Sequence, residues 1–296
     1  MTLTHRQALE RIRHGRGFIA AIDQSGGSTP KTLTGYGLAP DSWSDEETMF
    51  ALVHEMRERI MSSASFSGER LIGAILFERT MDGSVGGTPV PDFLRAKGIV
   101  PFVKIDQGLE TERDGAQLMK PIAGLDALLA RAKGLGVFGT KARSFIRRAS
   151  PSGIAAVVRQ QFDLAERVAA AGLLPILEPE YDIAAPDRAA GEAILLDEIL
   201  ASLARLPDER LVMLKLSIPV EDDFYRELIG HPRVARVAAL SGGYSRREAC
   251  ERLARNPGMI ASFSRALLSD LRVTMSDAEF DAALAEAIDE IYRASA

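Results

Sequence analysis

The stretch LVMLKLSIP (Leu211–Pro219) is a short apolar run with a single charged residue, Lys215, in its middle. A run of this length that is apolar almost throughout is typical of a β-strand buried on both faces of a parallel sheet. An ammonium group inside such a strand is costly unless something compensates it. The stretch therefore predicts a buried strand, and it raises the question of what Lys215 does there.

Seven further runs share this character, and each is bounded by glycine, proline or polar residues. They cover 17–23, 71–77, 98–106, 136–142, 173–180, 234–243 and 258–264. Helical patterns lie between the runs, over 44–62, 153–171, 188–205, 221–229, 245–255 and 276–293, with weaker ones at 82–97 and 124–133. Strands that alternate with helices predict a parallel sheet. Eight such strands in a chain of 296 residues favour a closed (β/α)8 TIM barrel over an open sheet.

The organisation of the chain predicts a single α/β domain over residues 1–296, because no linker-like or low-complexity stretch interrupts the alternation. Residues 4–14 precede the first strand and predict an extra N-terminal helix. Ser44 and Glu47 have the spacing of a capping box at the start of the 44–62 helix, and the segment 82–92 is expected to be a loop.

Composition and charge exclude several classes of protein. The formal net charge of −5 does not indicate nucleic-acid binding, and no segment approaches the roughly 18 apolar residues of a membrane span. Cys250 is the only cysteine, so an intrachain disulfide and a cysteine-rich metal site are excluded and a reducing compartment is expected. The N-terminal residues carry charges throughout and lack the apolar core of a secretory signal. We therefore expect a cytoplasmic protein.

Polar residues stand near the C-terminal ends of the predicted strands, where the active sites of such barrels lie. In strand order they are Asp23, Ser25 and Ser28; Lys104; Lys141 and Arg143; Glu178 and Glu180; Lys215; Ser241, Gly242 and Gly243; and Ser264 and Arg265. A ring of charges in a barrel mouth indicates function, because removing those charges from water must be offset. The four histidines lie outside this ring, so no metal and no other cofactor is expected.

The excess of lysine in the ring suggests an anionic substrate and an amine nucleophile. Burial in an apolar strand disfavours the ammonium form of Lys215, and a second cation such as Lys141 would disfavour it further. A neutral amine can attack a carbonyl to form a Schiff base, which acts as an electron sink for carbon–carbon cleavage. Glu178 or Glu180 is placed to move the protons. Taken alone, Lys215 could equally be half of a buried ion pair or a lysine whose head reaches water.

Two predicted anion sites flank Lys215. The sequence Ser241-Gly242-Gly243 runs into a predicted helix near Ser245, and Arg265 follows the last strand. Glycine backbone N–H groups and a helix start favour a phosphate at this position of a barrel. Ser25, Ser28 and Lys104 offer a second site after strands one and three. Two anion sites around an imine-forming lysine describe a sugar bisphosphate.

The combination of these short motifs resembles the class I fructose-1,6-bisphosphate aldolases, specifically their shorter bacterial form. The motifs occur in the order of the family, from about residue 17 to about residue 268. They are AAIDQSGGST, VPFVKIDQGL, FGTKAR, PILEPE, MLKLSIP, LSGGYS and FSRAL.

The resemblance implies a metal-independent aldehyde-lyase of glycolysis and gluconeogenesis. Its reaction is the reversible cleavage of fructose 1,6-bisphosphate to dihydroxyacetone phosphate and glyceraldehyde 3-phosphate. Lys215 would form the Schiff base, Glu178 would be the main acid–base residue, and Asp23 would contact the carbon-4 hydroxyl. Ser241, Gly242 and Arg265 would hold the phosphate nearest the imine, and Ser25, Ser28 and Lys104 the distal one. Tyr292, near the end of the chain, is expected to pack on the barrel rather than enter the active site.

Three alternatives remain at this point. The chain could be another Schiff-base lyase for a different phosphorylated sugar, a metal-dependent barrel enzyme in which the lysines only bind phosphate, or a non-catalytic sugar-phosphate binder. The oligomeric state stays open between a monomer and a homo-oligomer.

Overall fold

Eight parallel strands form a barrel in this computed structural model, which describes residues 4–295 apart from the side chain of Ser28. The strands are β1 (Phe18–Ile22), β2 (Leu71–Leu76), β3 (Val100–Lys104), β4 (Gly139–Ile146), β5 (Leu174–Tyr181), β6 (Val212–Ser217), β7 (Val234–Leu240) and β8 (Ile260–Ala261). Neighbours in the sheet follow the chain order, and each neighbouring pair is parallel. The predicted TIM barrel is confirmed.

Helices follow the strands and cover the outside of the barrel. They are α1 (His5–His14), α2 (Thr29–Tyr36), α3 (Glu46–Ser62), α4 (Glu78–Met81), α5 (Val90–Ala96), α6 (Leu125–Gly134), α7 (Pro151–Ala170), α8 (Arg188–Leu203), α9 (Arg226–Ile229), α10 (Arg246–Leu253), α11 (Arg265–Leu268) and α12 (Asp277–Ala294). None of these helices is long and apolar enough to cross a membrane.

The barrel interior is apolar below the polar ends of the strands. Phe102 of β3 is fully buried in the apolar cluster of the interior and packs edge-on against Phe138, with the ring centroids 5.8 Å apart. Gly139 makes room for this ring, because a Cβ at that position would lie 2.7 Å from Phe102 Cε1 and 2.1 Å from the carbonyl oxygen of Leu174. Large apolar side chains therefore fill the interior, and the polar groups lie above them at the C-terminal ends of the strands.

The extra N-terminal helix that the sequence predicts is α1, and it closes the N-terminal end of the barrel. Ala8 and Ile12 are buried on its inner face and join the apolar cluster of the interior. Arg236 of β7 donates a hydrogen bond from Nε to the carbonyl oxygen of Ile12 at 2.9 Å. This closure leaves the opposite, C-terminal end of the strands as the open mouth.

Strand ends differ from the prediction where the chain makes additional contacts. Strand β4 continues to Ile146 instead of ending at 142, because its last residues pair with residues 178–181 of β5 and, in antiparallel fashion, with the short strand Ala116–Gln117. Strand β8 is shorter than predicted. Beyond it, single backbone hydrogen bonds continue the closure, from Ser262 N to Ala239 O at 2.7 Å and from Ala21 N to Phe263 O at 3.2 Å.

Local turns account for the other differences. The segment predicted as a loop at 82–92 holds a small antiparallel hairpin, in which Ser84–Val85 pairs with Thr88–Pro89, and then the start of α5. The capping box of α3 uses Asp45 and Thr48 rather than Ser44 and Glu47. Helix α9 is shorter than the predicted 221–229, because Asp223 has a positive φ of 61° that interrupts helical geometry.

Candidate active site

Four buried side chains form a continuous chain of ion pairs in the mouth of the barrel. Lys215 Nζ lies 2.8 Å from Glu178 Oε1, and Lys141 Nζ lies 2.8 Å from Glu178 Oε2. Lys141 Nζ also lies 2.6 Å from Asp23 Oδ2. All four side chains are buried. Two ammonium groups therefore alternate with two carboxylates, which balance their charge.

The electrostatics of this chain favour the ionised forms of its carboxylates. Burial raises the pKa of Asp23, but the ammonium groups of Lys141 and Lys215 lower it more, to about 2. Burial likewise raises the pKa of Glu178, and Lys141 and Lys215 again lower it below its usual value. Burial lowers the pKa of Lys141, whereas Asp23 and Glu178 raise it above its ordinary value. Lys141 was expected to act as a second cation that disfavours the ammonium form of Lys215, but Asp23 and Glu178 balance its charge.

The parallel register explains why these groups meet. Side chains two residues apart on a strand point to the same face, so Lys141 and Arg143 of β4 share the barrel interior. Glu178 and Glu180 share it on β5, and Arg143 is the register partner of Glu178. Pro179, which could have disturbed this geometry, lies in the continuous register of β5. The sequence order of charged residues thus becomes a ring at one end of the barrel.

A second group of ion pairs lies beside the first. Lys104 Nζ lies 2.6 Å from Asp106 Oδ1 and donates to the carbonyl oxygen of Asp106 at 2.8 Å. The backbone N–H of Arg143 donates to Asp106 Oδ2 at 3.2 Å, and the guanidinium of Arg143 pairs with Glu180. Glu180 is therefore the partner of Arg143, while Glu178 is the carboxylate beside Lys215.

A pocket of about 730 Å³ opens above both groups, which is large enough for a sugar phosphate. Of the residues predicted from the sequence, those that line it are Asp23, Ser25, Lys104, Lys141, Arg143, Glu178, Glu180, Lys215, Ser241, Gly242, Ser264 and Arg265. Gly243 is exposed and lies outside this lining, and the side chain of Ser28 is outside the described part of the chain.

The predicted phosphate site after β7 has the expected local structure. Ser245 is the N-cap of α10, and its hydroxyl accepts a hydrogen bond from the backbone N–H of Glu248. Gly242 has a φ of 61°, and a Cβ there would lie 2.5 Å from Ile183 Cγ2, so the turn needs glycine. Arg265 is exposed at the rim of the same pocket. A basic side chain and a glycine turn therefore face one another across this part of the mouth.

Besides Asp106, several residues of the site lie outside the predicted set, and three of them are buried polar residues. Gln24 and Ser262 line the pocket, and both are buried. The hydroxyl of Ser262 has no hydrogen-bond partner among residues 4–295. It precedes Ser264 by two positions on an extended segment, so alternation along the strand could have identified it. Arg57, in the middle of α3, is buried beneath Gln24, and no short motif marks it.

Two other expectations concern metals and the end of the chain. Over the described range 4–295, no group of three or more His, Cys, Asp or Glu side chains is arranged to hold a metal ion. Tyr292 of α12 lies under the guanidinium of Arg70, whose Cζ is 4.4 Å from the ring centroid. Arg70 immediately precedes β2, so this tyrosine packs near the closed end of the barrel and does not line the pocket.

Comparison with known proteins agrees with the geometry. The family model for fructose-bisphosphate aldolase class-I matches residues 4–214 and ends one position before Lys215. The fructose-bisphosphate aldolase class 1 of Synechocystis sp. is 53% identical over 297 residues, and the match covers 100% of this chain and 99% of that relative. The match to this relative therefore extends beyond residue 214 over the rest of the chain.

A solved structure supports the fold independently. It is the fructose-bisphosphate aldolase from Plasmodium falciparum in complex with TRAP and a small-molecule inhibitor. It superposes with a TM-score of 0.78 at 22% identity, over 98% of this chain and 93% of that chain. The family match, the whole-length relative and the barrel with its buried lysine lead to one conclusion: the chain belongs to the class I fructose-bisphosphate aldolases, which are Schiff-base, metal-independent lyases.

Proposed function

We propose that Lys215 forms the Schiff base of this aldolase and that Glu178 moves the protons of the reaction. The observation that carries the proposal is the 2.8 Å contact between Lys215 Nζ and Glu178 Oε1, in a buried position at the floor of the pocket. Of the two glutamates left open by the sequence, Glu178 is the one in hydrogen-bond reach of the amine, which is the first requirement for an acid–base partner.

Imine formation begins with a proton transfer from Lys215 to Glu178, which leaves a neutral amine. The amine attacks the carbonyl carbon of the open-chain ketose, and a proton moves from the attacking nitrogen to the carbonyl oxygen, which becomes the hydroxyl of a carbinolamine. Glu178 then returns a proton to this hydroxyl, which leaves as water while the nitrogen forms the iminium ion. Lys141, on the other oxygen of Glu178 at 2.8 Å, keeps the carboxylate in place during both transfers.

Carbon–carbon cleavage uses the iminium ion as the electron sink. The carboxylate of Glu178 accepts the proton of the carbon-4 hydroxyl, the bond between carbons 3 and 4 breaks, and its electron pair passes into the iminium to give an enamine. The former hydroxyl becomes the aldehyde of the first product. We assign the contact with that hydroxyl to Asp23, which is ionised at neutral pH because its pKa is about 2. Protonation and hydrolysis of the enamine then release the ketone product and restore Lys215.

The phosphate groups bind at the two basic ends of the pocket in this proposal. Ser241, Gly242, Ser264 and Arg265 would hold the phosphate nearest the imine, with Gly243 at the rim. Lys104, Arg143, Ser25 and Ser28 would face the distal phosphate. Lys104 and Arg143 each contact a carboxylate in the free protein, so the distal phosphate has to compete with Asp106 and Glu180. We expect the distal phosphate to contribute less affinity for that reason.

We further propose that the chain acts as one domain in the cytoplasm, on sugar phosphates and without a nucleic-acid partner. The continuous order of the barrel strands supports a single domain. The single, buried cysteine supports a reducing compartment. A homo-oligomer remains a proposal that sedimentation of the purified protein would test.

The function is tested by the kinetics of fructose 1,6-bisphosphate cleavage in the wild type and in Lys215→Met. The variant should lose turnover while keeping the circular dichroism spectrum and folding transition of a native barrel, because Glu178 retains Lys141 as its partner. Glu180→Gln should cost less activity than Glu178→Gln. Near-wild-type turnover by Lys215→Met would contradict the proposed mechanism.

A further inference from the structure

A buried guanidinium lies beneath the pocket without a carboxylate of its own. Arg57 of α3 is 1% exposed, and over residues 4–295 it forms no ion pair. Burial lowers its pKa to about 10, and the negative charge of nearby Asp23 opposes that fall, so the group stays charged at neutral pH. A buried charge without a counter-ion needs hydrogen bonds that offset the free-energy cost of removing it from water. Its partners therefore indicate its purpose.

The partners of Arg57 are neutral oxygens at the end of β1 and in α4. One guanidinium nitrogen donates to Thr80 Oγ1 at 2.8 Å. A second nitrogen, Nη2, donates to the carbonyl oxygen of Gln24 and, at 3.3 Å, to Gln24 Oε1, while Nε has no hydrogen-bond partner among residues 4–295. Gln24 directly follows Asp23, so these bonds hold the backbone that carries a carboxylate of the active site.

The guanidinium also determines the orientation of the Gln24 amide, that is, the positions of its oxygen and its nitrogen. Arginine can only donate hydrogen bonds, so the oxygen of the Gln24 amide must face it and the NH2 group must face the other way. On that side Gln24 Nε2 donates to Ser264 Oγ at 2.6 Å. Gln24 is buried and Ser264 lines the pocket. The order of donors and acceptors along Arg57, Gln24 and Ser264 is therefore determined.

A serine hydroxyl has one hydrogen to donate and two lone pairs. Because the Gln24 amide occupies one lone pair of Ser264, the hydroxyl hydrogen remains available to a group in the pocket. The neighbouring residue, Arg265, lies at the rim of the same pocket. A phosphate oxygen accepts hydrogen bonds and cannot donate them when ionised, so a serine held as a donor suits it.

We propose that Gln24 is a positioning residue, oriented by Arg57, that holds the Ser264 hydroxyl as a donor to the substrate phosphate nearest the imine. This inference rests on the proposed function, which places that phosphate beside Ser264 and Arg265. It predicts that a change of amide to carboxylate at position 24 alters phosphate recognition and leaves imine chemistry intact.

Gln24→Glu is the sharpest test, because it keeps the size of the side chain and supplies Arg57 with a counter-ion. A carboxylate can only accept, so the Ser264 hydroxyl would donate to the introduced carboxylate and be lost to the phosphate. The loss of one such hydrogen bond corresponds to about a tenfold change. Folding stability should not fall, because the buried guanidinium gains an ion pair.

The measurement is the rate of borohydride trapping on the full-length enzyme, with dihydroxyacetone phosphate and with unphosphorylated dihydroxyacetone. Gln24→Glu should raise the concentration of dihydroxyacetone phosphate needed for half-maximal trapping by about tenfold and leave trapping of dihydroxyacetone unchanged. Gln160→Glu is the matched control: it removes an amide donor that contacts Met119 O at 2.9 Å, outside the pocket. It should change neither value.

A double-mutant cycle with Ser264→Ala separates this role from simple charge repulsion. If Gln24 acts through Ser264, Gln24→Glu should have little further effect once Ser264 is alanine. Additive effects, equal losses with both ketones, or no effect of Gln24→Glu would each overturn the inference. No adduct with either ketone in the wild type would instead refute the proposed function.

Discussion

Replacement of Glu178 by glutamine tests the chain of ion pairs directly, because this carboxylate lies between two ammonium groups. Its two oxygens are each 2.8 Å from a lysine nitrogen, at Lys215 and at Lys141. An amide of the same size removes the negative charge and leaves the packing in place. Asp23 is then the one carboxylate left among these four ion-paired side chains, 2.6 Å from Lys141.

The size of the effect follows from burial. All four side chains of this ion-pair network are buried. The loss of one partner of a buried ion pair costs about 3–5 kcal/mol in the free energy of unfolding. The variant can reduce this cost if one lysine releases its proton on folding. The unfolded chain then binds one more proton than the folded chain, so the stability of Glu178→Gln should rise between about pH 7 and pH 10 relative to wild type.

Urea unfolding at pH 7 and at pH 9.5 measures both parts of this prediction. The expected deficit of Glu178→Gln is about 3 kcal/mol at pH 7 and smaller at pH 9.5, and kcat should fall by about 10²–10⁴-fold because the acid–base group is lost. Glu112→Gln serves as control, since Glu112 pairs with Arg147 at 3.2 Å on the surface and should cost at most about 1 kcal/mol. A Glu178→Gln enzyme with wild-type stability at both pH values and turnover within tenfold would refute the reasoning.

Three further predictions follow from the site and the barrel. Gly139→Ala should lower the free energy of unfolding by about 3 kcal/mol, measured in urea, because its Cβ would meet the Leu174 carbonyl oxygen at 2.1 Å; an unchanged midpoint would show that the backbone adapts. Arg265→Ala should weaken binding by about 2 kcal/mol, seen as a higher KM for fructose 1,6-bisphosphate with a smaller change in kcat; a fall in kcat alone would argue against a phosphate contact. Wild type should have a higher free energy of unfolding than Asp23→Asn at pH 6, and this difference should shrink as the pH falls from about 4 towards 2. The reason is that the pKa of Asp23 falls from 3.8 to about 2 on folding. A difference that stays constant with pH would contradict the ion pair between Asp23 and Lys141.

Much of the architecture could be predicted because each barrel strand is buried on both faces and therefore reads as an apolar run. The polar interruptions of these runs, such as Lys141, Glu178 and Lys215, lie on strands whose register is fixed by the barrel. Their convergence follows from topology and needs no knowledge of side-chain contacts. The exact ends were harder to predict. The extension of β4 comes from pairing with the end of β5 and with Ala116–Gln117, which lies in a loop with no strand signal of its own.

The pairing within the site could not be predicted in the same way. Glu178 and Glu180 are equivalent in the sequence, since both point to the same face of one strand. Which of them contacts Lys215 depends on the positions of Lys141 and Arg143 across the ladder. Arg57 escaped prediction because an arginine in a helix is usually exposed, and its burial becomes evident only when α3 packs against the end of β1.

The proposed mechanism requires a covalent bond between the ε-amino group of Lys215 and the carbonyl carbon of the substrate ketone. Borohydride reduction with dihydroxyacetone phosphate, followed by mass spectrometry of the peptides, tests it most directly. We expect a stable adduct on Lys215 in the wild type and no adduct in Lys215→Met. An adduct on Lys141 instead, or an active wild-type enzyme that gives no adduct at all, would contradict it.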